Sequence, residues 1–165
     1  MKIEKLTSKK WQEFKEIRLE ALRLEPQAFG DSYEVLVKKS DNYWLKNLNS
    51  KYQFWYGVYD DNSIVGIGSI KFARALKFNH IAHLSGIYVK KEYRGKGIGK
   101  LLFKTRIDEA FKNPKIKKLK LIVNLSQKNA INLYKSFGFR EVGRLEREFR
   151  LDSDYFDAYL MELVK

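Results

Sequence analysis

The chain has 165 residues, 44% hydrophobic and 15% aromatic, which suits one domain spanning residues 1–165 with a substantial core. No run reaches the ~18–20 apolar residues of a membrane span, the Met1-Lys2-Ile3-Glu4-Lys5 start carries no secretory core, and the cytoplasm is the expected location. Cysteine is absent and His80 and His83 are the only histidines, which excludes disulfides and thiolate sites and points to chemistry without a metal.

The net charge of +13 is unevenly placed. Residues 1–86 hold 14 basic and 10 acidic side chains, whereas residues 87–165 hold 19 and 10. A basic field in the second half would steer a polyanion, although a lysine-rich solvated surface gives the same numbers. No nucleic-acid-binding motif accompanies the charge.

In chain order, Lys2 to Leu6 alternates as a short strand. Trp11, Phe14, Ile17, Ala21 and Leu24 then recur at helical spacing, with Thr7 or Ser8 as N-cap and Pro26 as the stop. Gln27 to Glu34 mixes turn residues with aromatics. Val35, Leu36, Tyr43, Trp44 and Leu48 give a second helix or helix pair its apolar content. Gln53 to Tyr59 and Ile64 to Phe72 read as a hairpin about Asp60-Asp61-Asn62-Ser63. A basic loop, Ala73 to Asn79, leads into a central strand, His80 to Val89. Strict alternation there puts Ile81, His83, Ser85, Ile87 and Val89 on one face and Ala82, Leu84, Gly86 and Tyr88 on the other, unless Gly86 makes a bulge.

A helix follows from Ile98 to Asn113-Pro114, then a strand, Lys118 to Val123. This strand, helix and strand predict a parallel crossover beside antiparallel hairpins, hence a mixed sheet. Ser126 is placed to cap a short helix carrying Ala130, Leu133, Tyr134 and Phe137, with Gly138 just past its end. Phe139 to Gly143, Arg144 to Leu151 and Tyr155 to Val164 are extended, joined by the Asp152-Ser153-Asp154 turn.

Between the central strand and the helix lies Arg94-Gly95-Lys96-Gly97-Ile98-Gly99-Lys100. Glycines at 95, 97 and 99 leave several N–H groups unobstructed, and the helix that follows adds its positive end, which is an anion site in outline. A dinucleotide fingerprint would need glycine at 100, which is Lys. A Walker loop would need glycine at 94 and Ser or Thr at 101, which are Arg and Leu.

What remains, Arg-Gly-Lys-Gly-Ile-Gly directly after Ile87-Tyr88-Val89, resembles the acetyl-CoA pyrophosphate loop of the GCN5-related N-acetyltransferase (GNAT) superfamily. Asn124, Asn129, Ala130, Leu133, Tyr134, Phe137, Gly138 and Phe139 match that family's second signature. The resemblance implies a mixed α/β fold with a central, mostly antiparallel twisted sheet of about seven strands and about four helices. It also implies that the backbone of Ile87, Tyr88 and Val89 pairs with the pantetheine arm and that Arg94, Gly95, Lys96, Gly97, Ile98, Gly99 and Lys100 hold the pyrophosphate. Asn124 and Asn129 would contact the cofactor, and Tyr134 would protonate the departing thiolate. No covalent enzyme intermediate is needed, in keeping with a chain without cysteine.

An attacking ammonium must first lose a proton, and Glu34 and His83 are the best polar candidates, with Ser85 able to orient a water. His83 also has a structural reading, as a hydrogen-bonded strand residue. Asp157 on the C-terminal hairpin is a candidate for the amine, against a plain hairpin reading. The implied function is acetyl transfer from acetyl-CoA to a primary amine, on a small molecule or a protein, in a ternary complex. The basic surface disfavours a polycationic acceptor. Exposed strands leave homodimerisation open. The contrasting readings are a non-catalytic acyl-CoA sensor and a basic RNA- or ribosome-associated module on the same fold.

Overall fold

In the computed structural model, which describes Met1–Lys165, the strands are β1 (Lys2–Lys5), β2 (Gln53–Asp60), β3 (Ser63–Phe72), β4 (Ile81–Val89), β5 (Lys118–Asn124), β6 (Arg140–Leu151) and β7 (Asp154–Val164). They form one seven-stranded sheet in the order β1-β2-β3-β4-β5-β7-β6. Every pair is antiparallel except β4 with β5, because the helix α4 (Ile98–Phe111) carries the chain back to the end of the sheet at which β4 begins. The sheet is therefore mixed, as the element order predicts.

Alternation along the strands divides the core between the two faces. Tyr56, Val58, Ala82 and Leu84 pack with Leu102 and Phe103 of α4. Trp55, Tyr59, Ile67 and Tyr88 pack on the other face with Phe14 and Ile17 of α1 (Trp11–Leu24). Two further helices, α2 (Tyr33–Leu36) and α3 (Asp41–Leu48), share that second face through Leu36 and Trp44, so the helices number five with α5 (Lys128–Ser136). The fifth arises where the apolar stretch from Val35 to Leu48 divides into two short helices.

Some local expectations are corrected. Neither Thr7 nor Ser8 caps α1, because a single 3-10 turn over Ser8–Lys10 intervenes. Ser126 does not cap α5 with its side chain; its backbone N–H donates instead to Asn124 Oδ1 at 2.9 Å. The helix does end as predicted. The N–H of Gly138 bonds the carbonyl of Lys135 and that of Phe139 the carbonyl of Tyr134, the paired bonds of a Schellman turn.

The central strand carries the important irregularity. Ile67 faces Tyr88 and Ser69 faces Ser85, so two steps along β3 oppose three along β4. Gly86, at φ +65°, belongs to the extra step, and a Cβ there would lie 2.7 Å from the Trp55 ring. The bulge inverts the alternation that follows it: Tyr88 joins the α1 face, opposite Ala82 and Leu84, while Ile87 and Val89 pack on the α4 side. Strict alternation would have grouped Tyr88 with Ala82 and Leu84. Gly86→Ala combines backbone strain with a clash against Trp55 and is expected to destabilise by about 1–3 kcal/mol. A lower urea midpoint at unchanged slope checks it.

Candidate active site

β4 and β5 pair only at Ile81, Ala82 and His83 against Lys118, Leu119 and Lys120. Beyond these three rungs the two strands have no partners in each other, and a cavity of about 400 Å³ opens between Leu84–Ile87 on one side and Leu121–Asn124 on the other. Phe103, Arg106 and Tyr134 wall it from the α4 and α5 side, and Arg18, Phe29, Asp31 and Trp55 from the α1 side. A second hollow of about 280 Å³ shares Arg18, Asp31, Gln53, Trp55 and Ser85 with the first. The two are adjoining lobes.

At the C-terminal end of β4, the glycine-rich turn brings six consecutive amides together. The backbone N–H groups from Gly95 to Lys100 have no acceptor within the chain, and the helical ladder of α4 begins with Leu101 N–H to Gly97 O at 2.9 Å. Gly95 and Gly97 take φ of +76° and +77°, which turns these amides without steric cost. Lys96 and Lys100 stand exposed beside them without a carboxylate partner. The arrangement suits a polyanion such as a pyrophosphate. Arg94 is engaged otherwise: its Nε donates to Val89 O at 2.9 Å and its Nη2 pairs with Glu25 at 2.9 Å. Its side chain ties the loop to β4 and to the end of α1.

Tyr134 is buried on the cavity wall with its ring 4.7 Å from that of Phe103. Burial raises its pKa, and the neighbouring Arg106 acts in the opposite direction. Arg106 is itself fully enclosed and has no carboxylate partner; its Nη1 donates to Ser69 O at 3.2 Å and to Ser85 O at 3.0 Å. Burial lowers its pKa to about 10, so it remains a cation at neutral pH. Ser69 Oγ also meets Ser85 O, at 3.2 Å. The carbonyl at the bulge is thus held from two sides.

His83 lines the cavity beside two lysines, since Lys71, His83 and Lys120 are register partners across β3, β4 and β5. Desolvation first, then Lys120 and Lys71, lower its pKa, leaving a neutral imidazole at pH 7. Asn124 is buried and lines the cavity. It accepts from Ser126 N–H and donates to Gln27 O at 3.0 Å, fastening the turn after α1 to the end of β5.

Ile87 lines the cavity, whereas the Tyr88 side chain turns to the opposite face and donates to Glu20 at 2.8 Å. Asn129 lies exposed at the start of α5, outside the cavity lining. Glu34 is exposed on α2 and does not line the cavity either, so the fold does not bring it to Tyr134 and His83. Asp157 accepts from Arg144 Nη2 at 2.6 Å and from Arg147 N–H at 2.9 Å, which commits it to holding the β6–β7 hairpin.

Arg18 and Arg106 escaped the reading of the sequence. A signal was present, because Arg18 falls among Phe14, Ile17 and Ala21, and Arg106 among Phe103, Ile107 and Ala110, each a charge inside an apolar stripe.

The family model described as the acetyltransferase (GNAT) family matches residues 11–139. The chain belongs to this family. This GNAT protein is 29% identical over 135 residues to the spermidine N(1)-acetyltransferase of Escherichia coli K12, covering 81% of this chain and 69% of that one. It is 24% identical over 145 residues to the L-amino acid N-acetyltransferase AaaT of the same organism, covering 87% and 88%. A putative acetyltransferase from Salmonella typhimurium, solved with its cofactor acetyl-CoA, has the same fold at TM-score 0.79 and 19% identity, over 99% of this chain and 93% of that one. The chain is accordingly an N-acetyltransferase that moves an acetyl group from acetyl-CoA to an amine. No helix is long and apolar enough to cross a membrane.

Changing Lys96 and Lys100 together to Gln is expected to weaken CoA binding by about tenfold and to flatten its decline with salt, read by calorimetry at two ionic strengths. Stability has a separate pH signature. The buried phenols of Tyr134 and Tyr56 titrate above the ordinary value of 10, Tyr56 at about 12 through burial and then Glu109. Their contribution is fully present below about pH 10 and is lost as the pH rises through the folded-state values. Urea midpoints should stay level from pH 8 to about pH 10 and fall beyond it.

Proposed function

We propose that residues 1–165 form one catalytic domain in which Tyr134 is the general acid and His83 the general base. Acetyl-CoA, when bound, supplies a thioester whose carbonyl carbon is open to attack by an amine. The amides from Gly95 to Lys100, with Lys96 and Lys100, hold its phosphates, and the unpaired edge of β4 from Leu84 to Val89 offers backbone groups to its extended arm. Backbone N–H groups along that edge stabilise charge developing on the carbonyl oxygen. Asn124 keeps the acceptor-side turn against this slot.

Neutral His83 takes a proton from the incoming ammonium at an imidazole nitrogen. As the N–C bond forms and the C–S bond breaks, Tyr134 Oη donates to sulfur, whose thiol pKa near ~8.5 makes a phenol a competent donor. Of the two protons leaving the nitrogen, His83 passes one to solvent, and the other restores the Tyr134 phenol after its own proton has gone to sulfur. Arg106 offsets the burial of Tyr134 and stabilises the phenolate left behind. Glu34 takes no part in this reading. The observation that carries it is the convergence of Tyr134, Arg106, His83 and the open β4 edge on one cavity.

Tyr134→Phe is expected to lower kcat by about 10²–10⁴-fold with little change in acetyl-CoA binding, measured by thiol release. An unchanged kcat overturns its role. The base form of His83 exists above a pKa set below 6.5, so kcat/KM should rise with pH through a value under 6.5 and then level. His83→Ala should abolish that limb, and a profile of unaltered shape removes His83 as the base. The setting proposed is the cytoplasm. A second copy of the chain would pair along the exposed edge strand β6, for which sedimentation at micromolar concentration reads the mass.

A further inference from the structure

The second lobe, under α1 and α3, is walled by buried donors that lack acceptors. Across the whole molecule three buried side-chain polar atoms have no hydrogen-bond partner: Arg18 Nη1, Trp44 Nε1 and Arg106 Nε. All three are N–H donors, and all three residues wall the two lobes, Arg18 both of them. Buried acceptors without partners do not occur among the side chains. Arg106 walls only the first lobe; in the second, Arg18 Nη1 and Trp44 Nε1 form an unmatched pair of donors, a place where an acceptor-rich group fits because each buried N–H left alone is costly.

Arg18 is the strongest member. Its side chain is 6% exposed, and its guanidinium lies over the rings of Phe29 and Trp55 at 4.7 Å and 5.4 Å. Nη2 donates to Asp31 at 2.8 Å, but that carboxylate is 52% exposed and engages one end of the fork only. Lys71 adds a second cation to the same lobe and has no carboxylate partner of its own. With Asp31 the single acid, the lobe has a net positive charge.

The lobe also has a direction. Ser85, on the wall common to both lobes, adjoins the bulge at Gly86, and Lys71 is the register partner of His83. A molecule with its anionic end between Arg18 and Lys71 therefore extends its other end toward His83 and the open edge of β4. We propose that the acceptor is a small amine carrying a carboxylate, an amino acid, with the second lobe as its carboxylate site. This rests on the acetyl-transfer reading above and names its substrate class. A polyamine has no group for these donors and meets two cations instead.

The test compares acceptors that differ only at that group: leucine, leucinamide and isoamylamine, with spermidine and a free N-terminal tetrapeptide alongside. Two readouts are taken, acetyl-CoA-dependent thiol release and calorimetric binding to the protein–CoA complex. Leucine is expected to exceed isoamylamine by about tenfold or more in kcat/KM and in affinity. That ratio should fall toward one in Lys71→Met and in Arg18→Met and be partly restored in Arg18→Lys. A ratio within one protein is insensitive to the amount folded, and the exposed Lys71 decides the matter should Arg18 variants not fold. Preference for isoamylamine, spermidine or the tetrapeptide overturns the proposal, as does a leucine preference untouched by Lys71→Met. Leucine binding that Lys71→Met abolishes, with no thiol release from any acceptor, upholds the carboxylate site and overturns the transfer mechanism instead.

Discussion

Gly86 holds a backbone conformation that an L side chain rarely adopts, and the Trp55 ring fills the space a Cβ would need. Much of the site follows from that one constraint. The bulge adds a residue to β4 against β3 and turns Tyr88 to the opposite face from Leu84. It also lies just beyond the third and last rung shared with β5, so the strand edge past it is open to a ligand. A sheet that continued its parallel pairing there would close the cavity.

The bulge is secured by an unusual partner. Arg106 reaches from α4 through a space left by Gly68, where a Cβ would lie 2.8 Å from its guanidinium carbon, and donates to the carbonyls of Ser69 and Ser85. A buried cation without a carboxylate is expensive in a low-dielectric interior. Peptide dipoles offset part of that, and the same positive charge lies beside the buried Tyr134 phenol, whose ionised form it favours. One side chain thereby links the geometry of the strand to the electrostatics of the cavity wall.

Charge elsewhere is divided by depth. Lys96 and Lys100 are exposed at the glycine turn, where they attract and are screened. Arg18 and Arg106 are enclosed, where each donor direction matters and solvent cannot compensate. The strongly basic composition is therefore divided between a field outside and fixed donors within.

The linear order of residues was enough to read the order of elements, the mixed sheet and the glycine-rich turn with its free amides. These rest on local rules: apolar spacing of 2 or 3.6 residues, glycine at positive φ, and a crossover helix between parallel strands. Tyr134 stood out as a candidate through its neighbours Asn129, Leu133, Phe137 and Gly138, and His83 through its place on the central strand near Gly86. It took the packed chain to reveal that Arg94 is tied to Val89 and Glu25, that Asp157 is held by its own hairpin, and that Glu34 stands apart from the cavity. Only the fold, too, set Arg18, Lys71 and Trp44 around one hollow. Their sequence separations are long, and no periodicity reports which buried donor is left without an acceptor. Cross-strand register and the packing of α1 over the sheet fix that, and both are properties of the whole chain.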